Sequence, residues 1–128
     1  MKANYKLTLA ALAGLALGAA GGATMHAQQA KVAPGYVVAQ VEITDAAKFQ
    51  EYAQKVPAIV AAHGGRYMIR GGAITPLEGE APKRLTVIAF ESVEKAKGFE
   101  SSPEYSAIRP IRQGSSKGTV FIVEGVAP

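Results

Sequence analysis

The chain contains no cysteine. That excludes disulfides, thiolate metal sites and a lipid carried on a cysteine. Histidine is nearly as scarce, and only His63 lies beyond the first thirty residues. One histidine cannot build a histidine-rich metal site, so no metal is expected. No run of Lys or Arg and no basic stripe interleaved with aromatics occurs, which argues against nucleic-acid binding. The glycine pairs lack the terminal Lys-Ser/Thr of a phosphate loop, and no Gly-x-Ser-x-Gly elbow is present. Repeats and low-complexity tracts are missing after residue 30.

What is present begins with a leader. Residues 1–30 start with Lys2 and Lys6, continue as a Leu/Ala/Gly run from Leu7 to Ala23, and reach small residues around Ala27. These are the three parts of a secretory signal. Cleavage is expected after Ala27, with Ala23 and Ala30 as alternatives. A retained anchor helix is the competing reading, but the run falls short of the roughly 18–20 apolar residues of a span. No Arg-Arg pair points to the twin-arginine route. The expected organisation is a signal peptide over 1–27, a flexible lead-in over 28–34 and one domain over 35–126. The mature protein would be periplasmic or secreted, with no membrane attachment. Loss of Lys2 and Lys6 lowers the net charge from +4 by two, so the basicity is mostly the leader's. An exported domain of about 100 residues without disulfides rests on its core alone or on a partner subunit, so a homodimer is expected.

Periodicity then sets the elements. YVVAQVEI, 36–43, alternates as a strand. Thr44-Asp45 opens a helix whose stripe holds Phe49, Tyr52, Val56, Ile59, Val60 and His63. Pro57 predicts a kink or a second short helix, and Gly64 a stop. Arg66 to Arg70 reads as the second strand, with a bulge allowed by Gly71-Gly72. RLTVIAFE, 84–91, is the third strand. Ser92 caps a short helix through Phe99, and Ser102-Pro103-Glu104 starts another that ends near Pro110. TVFIVE, 119–124, is the last strand. The order β-α-β-β-α-β is the ferredoxin-like α+β arrangement: a four-stranded antiparallel sheet with helices on one face. The opposite face is expected to hold Tyr36, Val38, Gln40, Glu42, Met68, Thr86, Ile88 and Phe90, with Arg66 and Arg70. Two such faces meeting in a dimer would enclose a mixed cavity.

Several pieces in order carry a family resemblance. They are Asp45 with Tyr52 in the first helix, AAHGGRYMIRGG at 61–72, Leu77-Glu78-Gly79, Phe90-Glu91-Ser92 and SPEYSAIRPIR at 102–112. From Gly35 to Gly125 the chain resembles the bacterial domain-of-unknown-function family DUF 1330. Phe99 fills the place of an aromatic residue that the family shows before Ser-Pro-Glu-Tyr. Glu91 stands where the family often has proline. The resemblance implies the dimeric α+β-barrel fold. It implies no reaction and no cofactor. Relatives in the wider superfamily include cofactor-free oxygenases, haem-binding enzymes and isomerases, and toward haem His63 would be the one histidine available as axial ligand.

Five residues are candidates for ligand binding. Arg70, placed in the space between two sheets, could clamp an anion with paired hydrogen bonds, or simply pair with Glu42 or Glu91. Arg109 and Arg112 are helical neighbours that could join it, or could be cations at a solvated helix end. Tyr105 could offer its hydroxyl at the cavity mouth, or be a packed aromatic. His63 could act as a base, or sit as a cation favoured by the helix C-terminus. Tyr52 is expected in the core with its hydroxyl at the edge. The resulting expectation is an exported homodimer binding a small anionic or aromatic metabolite between its sheets. The alternative is a cofactor-independent oxygenase- or isomerase-like enzyme, and a third reading is a structural module with an incidental cavity.

Overall fold

In β1 (Gly35–Ile43) Val37 and Val41 are buried, whereas Gln40 and Glu42 are exposed. One side of this strand therefore belongs to a core. The computed structural model describes residues 32–128; the expected signal peptide and most of the lead-in lie outside the described residues. Ala33–Val126 form one compact unit. Among the described residues no helix is long and apolar enough to cross a membrane.

Helix α1 (Ala46–Ala62) begins where Asp45 accepts the Lys48 N–H at 3.1 Å, satisfying one of the free donors of the first turn. It ends in a Schellman motif. The Gly65 N–H reaches the Val60 carbonyl at 2.9 Å and the Gly64 N–H reaches Ala61 at 3.0 Å. Gly64 has φ 75°, a conformation that costs glycine nothing. Of the two expectations at Pro57, a second short helix does not form: the helix runs through the proline as one element. Val56 and Val60 on either side are both buried in the core, and that packing keeps the helix whole despite the missing backbone bond.

Strands β2 (Arg66–Arg70) and β3 (Arg84–Phe90), helices α2 (Val93–Glu100) and α3 (Pro103–Ser115), and β4 (Ser116–Glu124) complete the domain. The strand order is β2-β3-β1-β4, antiparallel throughout, the ferredoxin-like arrangement. Ser92 and Ser102 cap the second and third helices. Helix α3 does not stop near Pro110 but continues to Ser115. Ile108 before the proline and Ile111 after it both pack on the core, and the end is tied down beyond them. The Ser115 hydroxyl donates to the Ile111 carbonyl at 2.6 Å, and the Ser115 carbonyl accepts from Thr44 N–H at 2.9 Å.

The core joins Val37, Ile88 and Phe90 of the sheet to Val56, Val60, Ala96, Phe99, Tyr105 and Ile108 of the helices. Its centre is aromatic: Phe99 lies 5.2 Å from Phe90 and 4.6 Å from Tyr105, ring centre to ring centre. Offset contacts of this kind each add about 0.5–1.5 kcal/mol beyond the area they bury.

The two faces of β3 are the reverse of expectation. Thr86, Ile88 and Phe90 face the helices, because β3 pairs Ile88 with Val37 and Thr86 with Ala39 of the core side of β1. Leu85, Val87 and Ala89 take the outer face. In β4, Phe121 and Val123 pair with Val38 and Tyr36 and so share that outer face. The surface away from the helices is thus more apolar than expected.

Candidate functional site

Strand β2 carries an irregularity that relocates its arginine. Tyr67 pairs with Ile88, but Ile69 pairs with Val87 and Arg70 with Thr86, so two residues of β2 span one step of β3. Met68 is the extra residue. Met68 and Ile69 both point outward, 48% and 41% exposed. After a one-residue bulge every following side chain changes face. Arg70 therefore joins Tyr67 on the helix side and does not enter a space between sheets, as simple alternation predicts. The expected bulge at Gly71-Gly72 is displaced to Met68. Gly71, at φ 66°, serves another purpose: a Cβ there would collide with the Arg84 guanidinium.

Arg70 meets neither Glu42 nor Glu91. Glu91 pairs with Lys95 at 2.7 Å and Glu42 with Lys117 at 3.7 Å. Instead Arg70 Nη2 donates to the Ala53 carbonyl at 2.8 Å, and its guanidinium lies 4.8 Å from the Tyr67 ring centre. Ala53 is four residues before Pro57, so its carbonyl is the one that the proline leaves without a helical N–H. An arginine from the sheet thus satisfies the acceptor that the helix freed.

Around this contact lies a cavity of about 40 Å³ between the helices and the sheet. Small residues of the sheet leave room for it, Ala39 beside Thr86 in register. Its polar lining is Tyr52, Tyr67, Tyr105, Arg70, Arg84 and Arg112. No carboxylate or imidazole lines it among the described residues. Nor does any described carboxylate come within 4.0 Å of the three arginines.

The hydroxyls of Tyr52 and Tyr105 are 2.9 Å apart, and Arg112 Nε donates to Tyr105 at 3.3 Å. Tyr105 itself is only 2% exposed. Continuity of α3 through Pro110 is what places Arg112 two turns beyond Tyr105 on one side of the helix. Burial, reinforced by Tyr105, pushes the Tyr52 phenol far above its ordinary range. Burial also raises Tyr67, with Arg70 opposing it in part. Both phenols are therefore neutral hydrogen-bond donors rather than bases. Burial works against the charge of Arg112, but the Tyr105 hydroxyl that accepts its hydrogen bond, with Glu100, outweighs it and holds the guanidinium more firmly protonated.

Two expected candidates stand apart from this cavity. Arg109 pairs with Glu100 at 3.6 Å, donates to the Glu100 backbone carbonyl and stacks 5.0 Å from the Tyr105 ring centre. Burial raises the Glu100 carboxyl, and Arg109 opposes the rise. His63 is the C-cap of α1, with Nε2 at 3.6 Å from Glu104 and its ring edge-on to Phe99. The structure thus brings together Arg70, Tyr105 and Arg112, and leaves Arg109 and His63 outside the lining. It adds Arg84, Tyr67 and Tyr52. Arg84 alternates with Thr86, Ile88 and Phe90, so knowing the inward face of β3 would have identified it. Among the described residues no group of three His, Asp or Glu could hold a metal ion.

A ferredoxin-like α+β domain with an arginine- and tyrosine-lined cavity beneath its helices is the class this geometry defines. Residues 34–126 match the family described as Domain of unknown function (DUF1330), and the chain belongs to that family. Its fold is similar to that of a protein of unknown function from Rhodopseudomonas palustris: TM-score 0.63, 16% identity, over 82% of this chain and 94% of that one. The methylated form of that protein gives TM-score 0.62 and 15% identity, over 82% and 92%. At these identities the likeness concerns the fold alone. No match emerged among curated proteins.

Proposed function

We propose that this is an exported homodimeric protein that binds a small anion with an apolar body in the cavity between helices and sheet. One observation carries the binding reading: three guanidinium groups and three phenols converge on a cavity whose described lining has no carboxylate. A cluster of positive charge with no carboxylate in its lining is stabilised by an anion from outside. Val37, Phe49, Val56 and Ile88 supply the apolar wall. The same lining weakens the enzymatic alternative, because it offers donors and positive charge where acid–base chemistry needs a base.

Support for the dimer comes from the other face of the sheet. Phe121 and Val123 on β4 and Met68 and Ile69 on β2 are each more than 40% exposed, and Val38 and Val87 lie between them. An exposed apolar patch of this kind on a sheet face is covered best by a second copy, as in the dimeric barrel the family resemblance implies. Export rests on the leader-like composition of residues 1–27.

Native mass spectrometry of protein taken from its own host tests the three parts together. The expected result is a dimer of a chain that has lost its first 27 residues, carrying a small retained anion. A full-length monomer would refute export and dimerisation. Anion affinity unchanged by Arg84→Gln and Arg70→Gln would refute the binding site.

A further inference from the structure

The hydrogens in the cavity can be counted. Tyr52 and Tyr105 share one hydrogen bond, which uses one of their two phenolic hydrogens whichever ring donates. Arg112 Nε donates into this pair and so brings it no acceptor. One phenolic hydrogen is left over. The Tyr67 hydroxyl is buried and has no partner among the described residues, so its hydrogen is unspent too. Arg70 uses one N–H on Ala53, and the Arg84 side chain makes no hydrogen bond or ion pair to a described residue. The cavity thus holds unspent donors of two kinds, phenolic hydroxyls and guanidinium N–H groups.

These donors come from two sides of the cavity, the sheet and the helices. Tyr67, Arg70 and Arg84 all come from β2 and β3. Arg70 is opposite Thr86, and Arg84 is the next inward residue of β3, a diagonal neighbour. Tyr52 comes from α1, and Tyr105 and Arg112 come from α3. Gly71 and the Phe49 ring, 5.5 Å from the Arg84 guanidinium, hold Arg84 from two sides.

We infer that the cavity takes a small oxo acid. Its carboxylate meets Arg70, Arg84 and the Tyr67 hydroxyl, and its oxo oxygen meets the unspent O–H of the Tyr52–Tyr105 pair. The inference rests on the anion-binding reading above and adds the ligand class. A carboxylate suits the side where two guanidiniums lack a counter-charge. A ketone oxygen suits the side that has a neutral donor to spare. A hydroxyl in its place brings one more donor hydrogen into a lining already rich in donors, and leaving it unmatched weakens binding. The volume agrees: at about 10–15 Å³ per water, 40 Å³ accommodates a few heavy groups, the size of an oxo-acid head.

The test is calorimetric titration of the whole protein with α-ketobutyrate, α-hydroxybutyrate, butyrate and inorganic phosphate. Three variants accompany it: Tyr67→Phe, Arg84→Gln and the double substitution Tyr52→Phe with Tyr105→Phe, each checked for folding by its melting curve. α-Ketobutyrate is expected to bind about tenfold tighter than butyrate, the worth of one good hydrogen bond. The double variant should abolish that preference. Tyr67→Phe should weaken both acids by a similar factor. Butyrate, the hydroxy acid or phosphate binding as tightly as the keto acid would overturn the oxo-acid assignment while leaving an anion site. So would a preference that survives the double variant. No binding of any of the four, or affinities unmoved by Arg84→Gln, would overturn the anion site and the assignment with it.

Discussion

Arg70 and Pro57 should be energetically coupled although they lie on different elements. Pro57 removes the N–H that would have bonded Ala53, and Arg70 supplies the replacement at 2.8 Å. A hydrogen bond from a charged donor contributes about 1.5–3 kcal/mol when buried. Arg70 is largely exposed and water competes with it, so about 1 kcal/mol is the expected worth here. Stacking on Tyr67 at 4.8 Å adds about 0.5–1 kcal/mol. Arg70→Ala should therefore cost about 1.5–2 kcal/mol. In a Pro57→Ala background the helix satisfies Ala53 itself, and the same substitution should cost only the stacking, about 0.5–1 kcal/mol. The double-mutant cycle should thus show a coupling of about 1 kcal/mol. Urea unfolding at fixed protomer concentration measures it, since dimer formation would otherwise shift the midpoint. In melting temperature the coupling corresponds to about 4–8 °C for a domain of this size. A coupling below about 0.3 kcal/mol, the level at which independent sites add, would refute the idea that the sheet arginine replaces the helical donor.

Alkaline stability should depend on the buried phenols. Tyr52 and Tyr67 both titrate above their ordinary range in the folded chain. Unfolding therefore releases protons once the pH passes about 10, the value of a free tyrosine, and stability should fall as pH rises above it. Below that pH the contribution is fully present. Replacing Tyr52 by Phe should flatten this alkaline limb, with ultraviolet absorbance of tyrosinate as the readout; an unchanged limb would contradict the burial. Gly71→Ala should destabilise the domain by about 1–2 kcal/mol through its positive φ, and should also weaken anion binding by displacing Arg84. Thermal melting and titration of the same variant separate the two effects.

The elements were legible in the sequence because each carries its own period. The side of the sheet on which each residue lands was less so. Both faces of RLTVIAF are apolar: Leu85, Val87 and Ala89 on one, Thr86, Ile88 and Phe90 on the other. Alternation sorts these into two sets but does not say which set faces the helices. Only register with β1, whose polar Gln40 and Glu42 mark the outside, decides it. The bulge in β2 was hidden for a different reason. RYMIR has no glycine or proline at Met68, while the adjacent Gly71-Gly72 offers a stronger local cue at the wrong place. The prolines misled in the same way. Pro57 looks like a kink or a fresh helix start and Pro110 like a helix end, but buried residues on both sides of each keep the helices whole.

The bulge, the unbroken helices and the inward face of β3 converge on one site. A β2 without its extra residue would send Arg70 to the outer face, away from the carbonyl that Pro57 frees. An α3 that stopped at Pro110 would leave Arg112 without its helical alignment to Tyr105. A β3 turned over would expose Arg84 and bury Leu85 in its place. Each departure from the simple pattern moves a guanidinium to the helix side, and none moves a carboxylate there. A bulge, a helix continued through proline and an inward arginine all forgo some regularity of the fold. Their shared result is a donor-rich cavity on one face of the sheet, which leaves the opposite face free of those three guanidiniums and with an exposed apolar patch. In the proposed dimer, that division lets the sheet serve two purposes without conflict: assembly through the outer face and anion binding beneath the helices.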